Sequence, residues 1–477
     1  MNDENKYFNL KKMQANFEIR DTVLDKISPT FCAAKWLQST IYLWNGHTHS
    51  CHHPTPHKVQ LEAVSKNPKA LHNTPKKLAA RKDLLNGIQT KECAYCWNIE
   101  NLKQDHLSDR VYKSAADWSW PHIEDVVKSG NGKNINPTYV EIAFENTCNL
   151  KCTYCTPDVS SRWMEEIQIH GPYQLSEVAL HDLDYLKQLG KFPIHRDDPN
   201  PYVDAFWKWW PELYNSLEVF RITGGEPLLS KHTWRVLDYI LENPRPDLDL
   251  AINTNLCVHQ KIIERLVEYT VKLKGKVKSF EIYTSCEATG AQAEYIRFGL
   301  NYEQFMKNVE YILKNTPDDF RVNFMVTTNI LSTTTFKEFL EKIMELRENF
   351  PAPPDQFGVN LNRTPIMIAY IRWPEYLSIR NLPKNIKEKY AKIWKEFANA
   401  NTFESRPGGL GRLYLEEVDQ INRLSEFMLT EDPKLETNMK DFYLYHVQYD
   451  KRRNVDFLKT FPELLNFYQD CQFLVGT

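Results

Sequence analysis

No run of apolar residues in this 477-residue chain approaches the ~18 that a membrane-spanning helix needs, which excludes a helical membrane protein. The opening stretch Met1–Leu10 (MNDENKYFNL) is polar and charged, so a secretory signal is not expected there. A basic surplus is missing as well. With 59 Lys+Arg against 62 Asp+Glu the formal net charge is −3, which argues against a nucleic-acid partner. Glycine is scarce, at 16 residues, about half the average share of roughly 7%, so the adjacent pair Gly224-Gly225 needs a reason. Internal repeats and low-complexity tracts are absent. Hydrophobic residues at 42% and aromatics at 13% exclude a disordered chain. At roughly 100–200 residues per domain, the length admits two to four domains.

What the chain does have is clustered cysteine. Seven of its ten cysteines fall between Cys32 and Cys155. In a large chain expected in a reducing, cytoplasmic compartment, such cysteines serve better as thiolate ligands than as disulfides. From about Pro137 onward, short apolar runs alternate with helical segments. The expected strands are Tyr139–Phe144, Leu217–Thr223, Leu248–Asn253, Val277–Thr284, Val322–Thr327 and Phe357–Leu361. Between them Lys231–Glu242, Gln260–Leu273, Tyr302–Lys314 and Phe336–Asn349 read as helices. In the last, Phe336, Phe339, Leu340, Ile343 and Leu346 mark one apolar face. Six such units predict a parallel α/β sheet or an incomplete β/α barrel, with reactive groups where strands end. The long crossover from Cys155 to Ser216 carries Phe206, Trp207, Trp209 and Trp210, read as helix core in preference to a substrate platform. The turn at Arg406-Pro407-Gly408-Gly409 separates helical segments that follow about Leu382.

After the first of these strands comes ENTCNLKCTYC, giving Cys148-x3-Cys152-x2-Cys155: three thiols within eight residues. One short loop of this kind can hold an iron–sulfur cube through three irons and leave the fourth open for chemistry. Zinc is the competing reading, although no fourth ligand follows closely to close a tetrahedron. At the end of the next strand stands Thr223-Gly224-Gly225-Glu226-Pro227. Paired glycines let backbone approach a ligand closely, and Glu226 adds a carboxylate for an ammonium group; a structural turn is the alternative. Asn253-Thr254-Asn255, Ser285 and Arg297 lie at or near later strand ends. Ser285 would suit ribose hydroxyls or a carboxylate, and Arg297 a carboxylate; each could equally be a capping or surface residue. Cys257 and Cys286 read as small buried hydrophobes.

The three-cysteine spacing resembles the radical S-adenosylmethionine (radical SAM) superfamily, and the glycine pair with Glu226 resembles that family's Gly-Gly-Glu motif. The resemblance implies a [4Fe-4S] cluster on Cys148, Cys152 and Cys155, and SAM as cofactor. It places Tyr154 near the adenine, Gly224, Gly225 and Glu226 at the methionine ammonium, and Ser285 and Arg297 at ribose or carboxylate. The implied chemistry is one-electron cleavage of SAM to methionine and a 5′-deoxyadenosyl radical that removes a hydrogen atom from a substrate.

Ahead of these motifs lie Cys32, Cys51, Cys93 and Cys96. Cys93-x2-Cys96 is a metal clip, and Cys51 follows a strand-like Ser39–Trp44 and an Asn45-Gly46 turn. The order resembles the SPASM/twitch auxiliary-cluster domain of the same superfamily, but it precedes the barrel where such domains follow it. The resemblance implies a second, auxiliary iron–sulfur cluster. The rival is a zinc site using Cys51, Cys93, Cys96 and one of His47, His49, His52, His53 or His57, most of which read as solvated loop residues.

The fold expected is therefore α/β: a partial (β/α)6 TIM-like radical SAM barrel over residues 136–378, with an N-terminal twitch-like domain at 1–130 and a C-terminal helical region at 379–477. The expected activity is that of a radical SAM enzyme oxidising or crosslinking a peptide or sugar, supplied by a flavodoxin or ferredoxin as electron donor, with no membrane or nucleic acid involved. The alternatives are modification of a nucleotide precursor, or a non-enzymatic zinc-stabilised binding protein.

Overall fold

The computed structural model describes residues 14–102, 106–176, 181–354, 360–402 and 413–476. The expectations for Met1–Leu10 and for the turn at residues 406–409 lie outside these residues. The chain folds into two units with mixed α/β content and mostly parallel strand pairing.

The first unit takes in residues up to 145 together with 193–224 and 247–250. Its strands are β1 (Gln38–Tyr42), β2 (His47–His49), β3 (His57–Lys58), β4 (Tyr139–Ala143) and β5 (Val219–Thr223), with part of β6 (Arg245–Asn253). The order is β3-β2-β1-β4-β5-β6. β1 runs parallel to β4, pairing Gln38 with Tyr139, and β4 runs parallel to β5, pairing Tyr139 with Val219. β1 and β2 form an antiparallel hairpin. Its turn requires Gly46, at φ +64°, because the ring of Tyr202 leaves no room for a Cβ. The helix Pro201–Ser216 opens on Asn200, whose side chain accepts from the amides of Tyr202 and Val203. It buries Phe206, Trp209 and Trp210, with Phe206 edge-on to Phe144. Most of the cluster is thus helix core, as expected, with Trp207 only half-buried.

The second unit takes in 146–192, 225–246 and the chain from 251 onward. It contains the end of β6, β7 (Val277–Ser285), β8 (Arg321–Thr328) and β9 (Ile366–Tyr370), in the order β6-β7-β8-β9. β7 and β8 are parallel, as are β8 and β9. The helices Lys231–Glu242, Gln260–Leu273, Tyr302–Asn315 and Phe336–Asn349 fall where the apolar periodicity put them. Gln260–Leu273, for instance, buries Ile263, Leu266, Val267, Thr270 and Leu273 along one stripe.

One strand was misplaced. Of the expected Phe357–Leu361, residues 357–359 lie outside those described, and Asn360–Asn362 instead pairs antiparallel with Pro351–Pro354. The strand beside β8 is β9, held at its two ends by Phe324 N to Pro365 O and Ile371 N to Thr328 O. β9 gave a weak signal because its pattern is broken: Ile366 is buried while Met367 and Tyr370 are exposed. The helices Lys384–Ala400, Leu415–Met428, Leu435–Arg453 and Leu465–Val475 follow within the same unit. No helix among the described residues is long and apolar enough to cross a membrane.

Candidate cysteine centres

The loop after β4 carries Cys148, Cys152 and Cys155, all half-buried and free of disulfides. Ser160 caps the helix Ser161–His170, and Ser161 Oγ receives the amide of Cys148 at 3.1 Å. Three N–H donors point at sulfur. Leu150 N lies 3.5 Å and Asn255 Nδ2 3.9 Å from Cys148 Sγ, and Arg297 Nη1 lies 3.9 Å from Cys152 Sγ. Burial, and then Cys152 and Glu226, push Cys148 up to about 12 against the donor Leu150 N. Burial, and then Cys152 and Cys148, raise Cys155. Thiols in this setting stay protonated until a metal replaces the protons, and the ring of donors then suits the thiolate charge.

Behind the loop, Trp163 Nε1 donates to Cys152 O (2.9 Å), Tyr445 Oη to Thr153 O (3.1 Å) and Arg453 Nη1 to Lys151 O (2.7 Å). Arg453 also pairs with buried Glu166 at 2.9 Å, and Lys151 reaches the same carboxylate at 2.6 Å. Burial opposes the charge of Glu166, but Arg453, Lys151 and the hydroxyl of Tyr173 outweigh it and hold the group at about 2.

Gly224 and Gly225 earn their place by close approach. Gly224, at φ +137°, would put a Cβ 2.9 Å from Glu145 O, and Gly225 would put one 2.4 Å from Thr147 O. Glu226 is wholly buried and accepts from Leu228 N (2.9 Å), Thr254 Oγ1 (2.7 Å) and Asn255 N (2.7 Å). Burial raises it to about 7 against those three donors. Its carboxylate therefore ties the segment after β5 to the segment after β6, with one acceptor position left on Oε2.

Ser285 ends β7, half-buried. Tyr154 and Arg297 are drawn into one group with Glu287, which sequence reasoning overlooked. Arg297 Nη2 and Nε bond Glu287 Oε2 at 2.6 and 3.2 Å, and Tyr154 Oη donates to Glu287 Oε1 at 3.0 Å. A charged residue just past a strand end was the only signal for Glu287, since its partner lies ten positions on. Asn149, which bonds Asn255 and Cys257 O, was equally unmarked. Cys286 is buried, as expected of a small hydrophobe; Cys257 is only half-buried.

In the first unit Cys32, Cys51, Cys93 and Cys96 are all buried and line one cavity of about 20 Å³ with Lys35, Arg110 and Lys113. Three of them belong to a core that includes Phe31, Trp36, Leu84 and Val111. Burial, then Cys51, Cys93 and Cys96, push Cys32 up to about 12. Lys35 is raised despite its burial, chiefly by Cys93 and its partner Glu92. A four-thiolate centre carries net negative charge, and this cationic lining complements it. Of the five histidines His52 is an exposed loop residue, as expected, and His53 lies half-buried in the same loop, but the other three sit in strands. His47 and His49 are buried in β2, bonded to Asn45 and Cys51 O, and His57 bonds Thr74. His57 is half-buried, and each ring nitrogen named here finds a local partner. His53 alone of these lines the cavity; it bonds Asp109 at 2.8 Å and stacks on Tyr95. Among the described residues no set of three or more His, Cys, Asp or Glu side chains is arranged to hold a single metal ion.

Comparison with protein families matches residues 142–346 to the Radical SAM superfamily. The chain carries a radical SAM domain. Among curated proteins it is similar to the GTP 3',8-cyclase of Syntrophomonas wolfei subsp. wolfei, at 27% identity over 134 residues, which is 28% of this chain and 31% of the relative. The GTP 3',8-cyclase of Aliarcobacter butzleri is 21% identical over 254 residues, 52% of this chain and 67% of the relative. That of Mycobacterium ulcerans is 26% identical over 117 residues, 24% of each. The matched segment thus takes in Cys148, Cys152, Cys155 and Gly224-Gly225-Glu226, and the chain spans about a third of the first of these relatives.

Proposed function

We propose that the protein is a radical SAM enzyme built on a partial β/α barrel. Cys148, Cys152 and Cys155 hold a [4Fe-4S] cluster, and Gly224, Gly225 and Glu226 receive the methionine end of SAM. The cluster and SAM together supply reductive carbon–sulfur cleavage and hydrogen-atom abstraction. The observation that carries the reading is the set of N–H donors around Cys148 and Cys152, since plain buried thiols have no use for them. Tyr154 and Ser285 lie at the rim of the same site, and the free acceptor of Glu226 takes the ammonium. Cys32, Cys51, Cys93 and Cys96 hold an auxiliary iron–sulfur cluster in a twitch-like arrangement. Four ligands leave it no open iron, which suits electron transfer and hence oxidation or crosslinking of a peptide or sugar. The electron donor is a flavodoxin or ferredoxin. A nucleotide precursor is the second reading, favoured by the names of the relatives.

Anaerobic reconstitution with iron and sulfide tests this. About eight irons per chain and a cube signal by electron paramagnetic resonance are expected. Dithionite-driven conversion of SAM to methionine and 5′-deoxyadenosine should follow, with GTP and short peptides offered as substrates. Zinc without sulfide, or SAM cleavage by an iron-replete Cys148→Ser/Cys152→Ser/Cys155→Ser variant, overturns the reading.

A further inference from the structure

Arg297 departs furthest from its expected place. The two-residue ladder of Lys151–Cys152 with Arg297–Phe298 sets Arg297 directly opposite Cys152. Its guanidinium has five N–H groups, and four have partners. Two go to Glu287 Oε2, one to Tyr154 Oη and one, on Nη1, towards Cys152 Sγ at 3.9 Å. A bidentate grip on a SAM carboxylate needs two parallel donors, and that fork is already given to Glu287. Both members of the pair are buried, Glu287 completely. A buried ion pair is a weak source of stability by itself. Here its geometry leaves one donor aimed at a cysteine sulfur.

We propose that Arg297 is a positioning residue for Cys152. It holds the thiolate through an N–H···S bond and eases reduction of the cluster, while Glu287 fixes the guanidinium and offsets its charge. The proposal rests on the reading of the three cysteines as a cluster site. Hydrogen bonds to the sulfurs and nearby charge are among the levers that set an iron–sulfur potential. A reduced cluster is the more negative state, so a donor and cation beside Cys152 favour it, and Glu287 works in the opposite sense.

The test is a redox titration of the reconstituted full chain, read by electron paramagnetic resonance without SAM, beside a SAM-binding isotherm. Arg297→Gln should move the midpoint to lower potential and Glu287→Gln to higher, with SAM affinity unchanged. Arg297→Lys, which keeps a cation, should fall between Arg297→Gln and the unaltered protein. Midpoints that do not move, or SAM affinity about tenfold weaker at an unmoved midpoint, overturn the proposal and return Arg297 to the SAM carboxylate. If Arg297→Gln holds no cluster, Arg297→Lys decides, and cluster loss there too makes the residue purely structural. An unaltered protein that takes up no iron or sulfide is a different failure, that of the cluster reading itself.

Discussion

The two cysteine sets solve opposite problems. In the second unit three cysteines share one eight-residue loop, are half-buried, and are met by donors from Leu150, Asn255 and Arg297. In the first unit four buried cysteines come from three separate segments and line a cavity with Lys35, Arg110 and Lys113. A loop can present an open metal position because it stays partly in solvent. A core can only enclose one. Proximity in sequence therefore goes with reactivity here, and proximity in space with containment.

The largest effect separates the sets outright. Replacing Cys148, Cys152 and Cys155 by serine should abolish SAM cleavage and remove ~4 irons. Replacing Cys32, Cys51, Cys93 and Cys96 should remove as many while SAM cleavage without substrate persists. If the second variant cleaves SAM no better than the first, the division of labour is wrong. Next comes the support behind the loop. Arg453→Ala leaves buried Glu166 with only Lys151 and the Tyr173 hydroxyl as partners, at a loss of about 3 kcal/mol, the low end for a broken buried pair, measured as a lower midpoint in urea. Arg453→Met with Glu166→Leu should recover much of it. A smaller loss is expected of Gly225→Ala, whose Cβ must push Thr147 O away from 2.4 Å, for about 1–3 kcal/mol. SAM binding should weaken in parallel, and an unaltered isotherm would show that the segment can yield.

The last comparison is the response to acid. Glu166 falls from 4.5 to about 2 on folding, so its contribution is complete above pH 4.5 and disappears as pH drops towards 2. In the first unit Asp109 is likewise held at about 2, by its bond from His53 and by Lys113 against partial burial. It is more exposed, so its share is smaller. Glu166→Gln should flatten the acid limb of stability more than Asp109→Asn does. Equal slopes would contradict the ordering.

Periodicity was enough for the four helices from Lys231 to Asn349, because each buries a single stripe. It missed β9, whose outward residues break the pattern. The cysteine loop and the glycine pair were readable because their function lies in local spacing. Glu287, Asn149 and the partners of the histidines were not, since their meaning depends on residues far along the chain. Glu226 shows the limit most plainly: its charge was legible, yet not the three donors that hold it.

The bonds from Tyr445 and Arg453 to the cysteine loop join residues 292 and 302 positions apart. At synthesis rates of roughly 5–20 residues per second, Arg453 leaves the ribosome some 15–60 s after the loop does. For that interval the three thiols lack the helix Leu435–Arg453 and have only Ser161–His170 behind them. On the proposed cluster reading, that interval is when a cluster would meet least obstruction and when the thiols would be most open to oxidation.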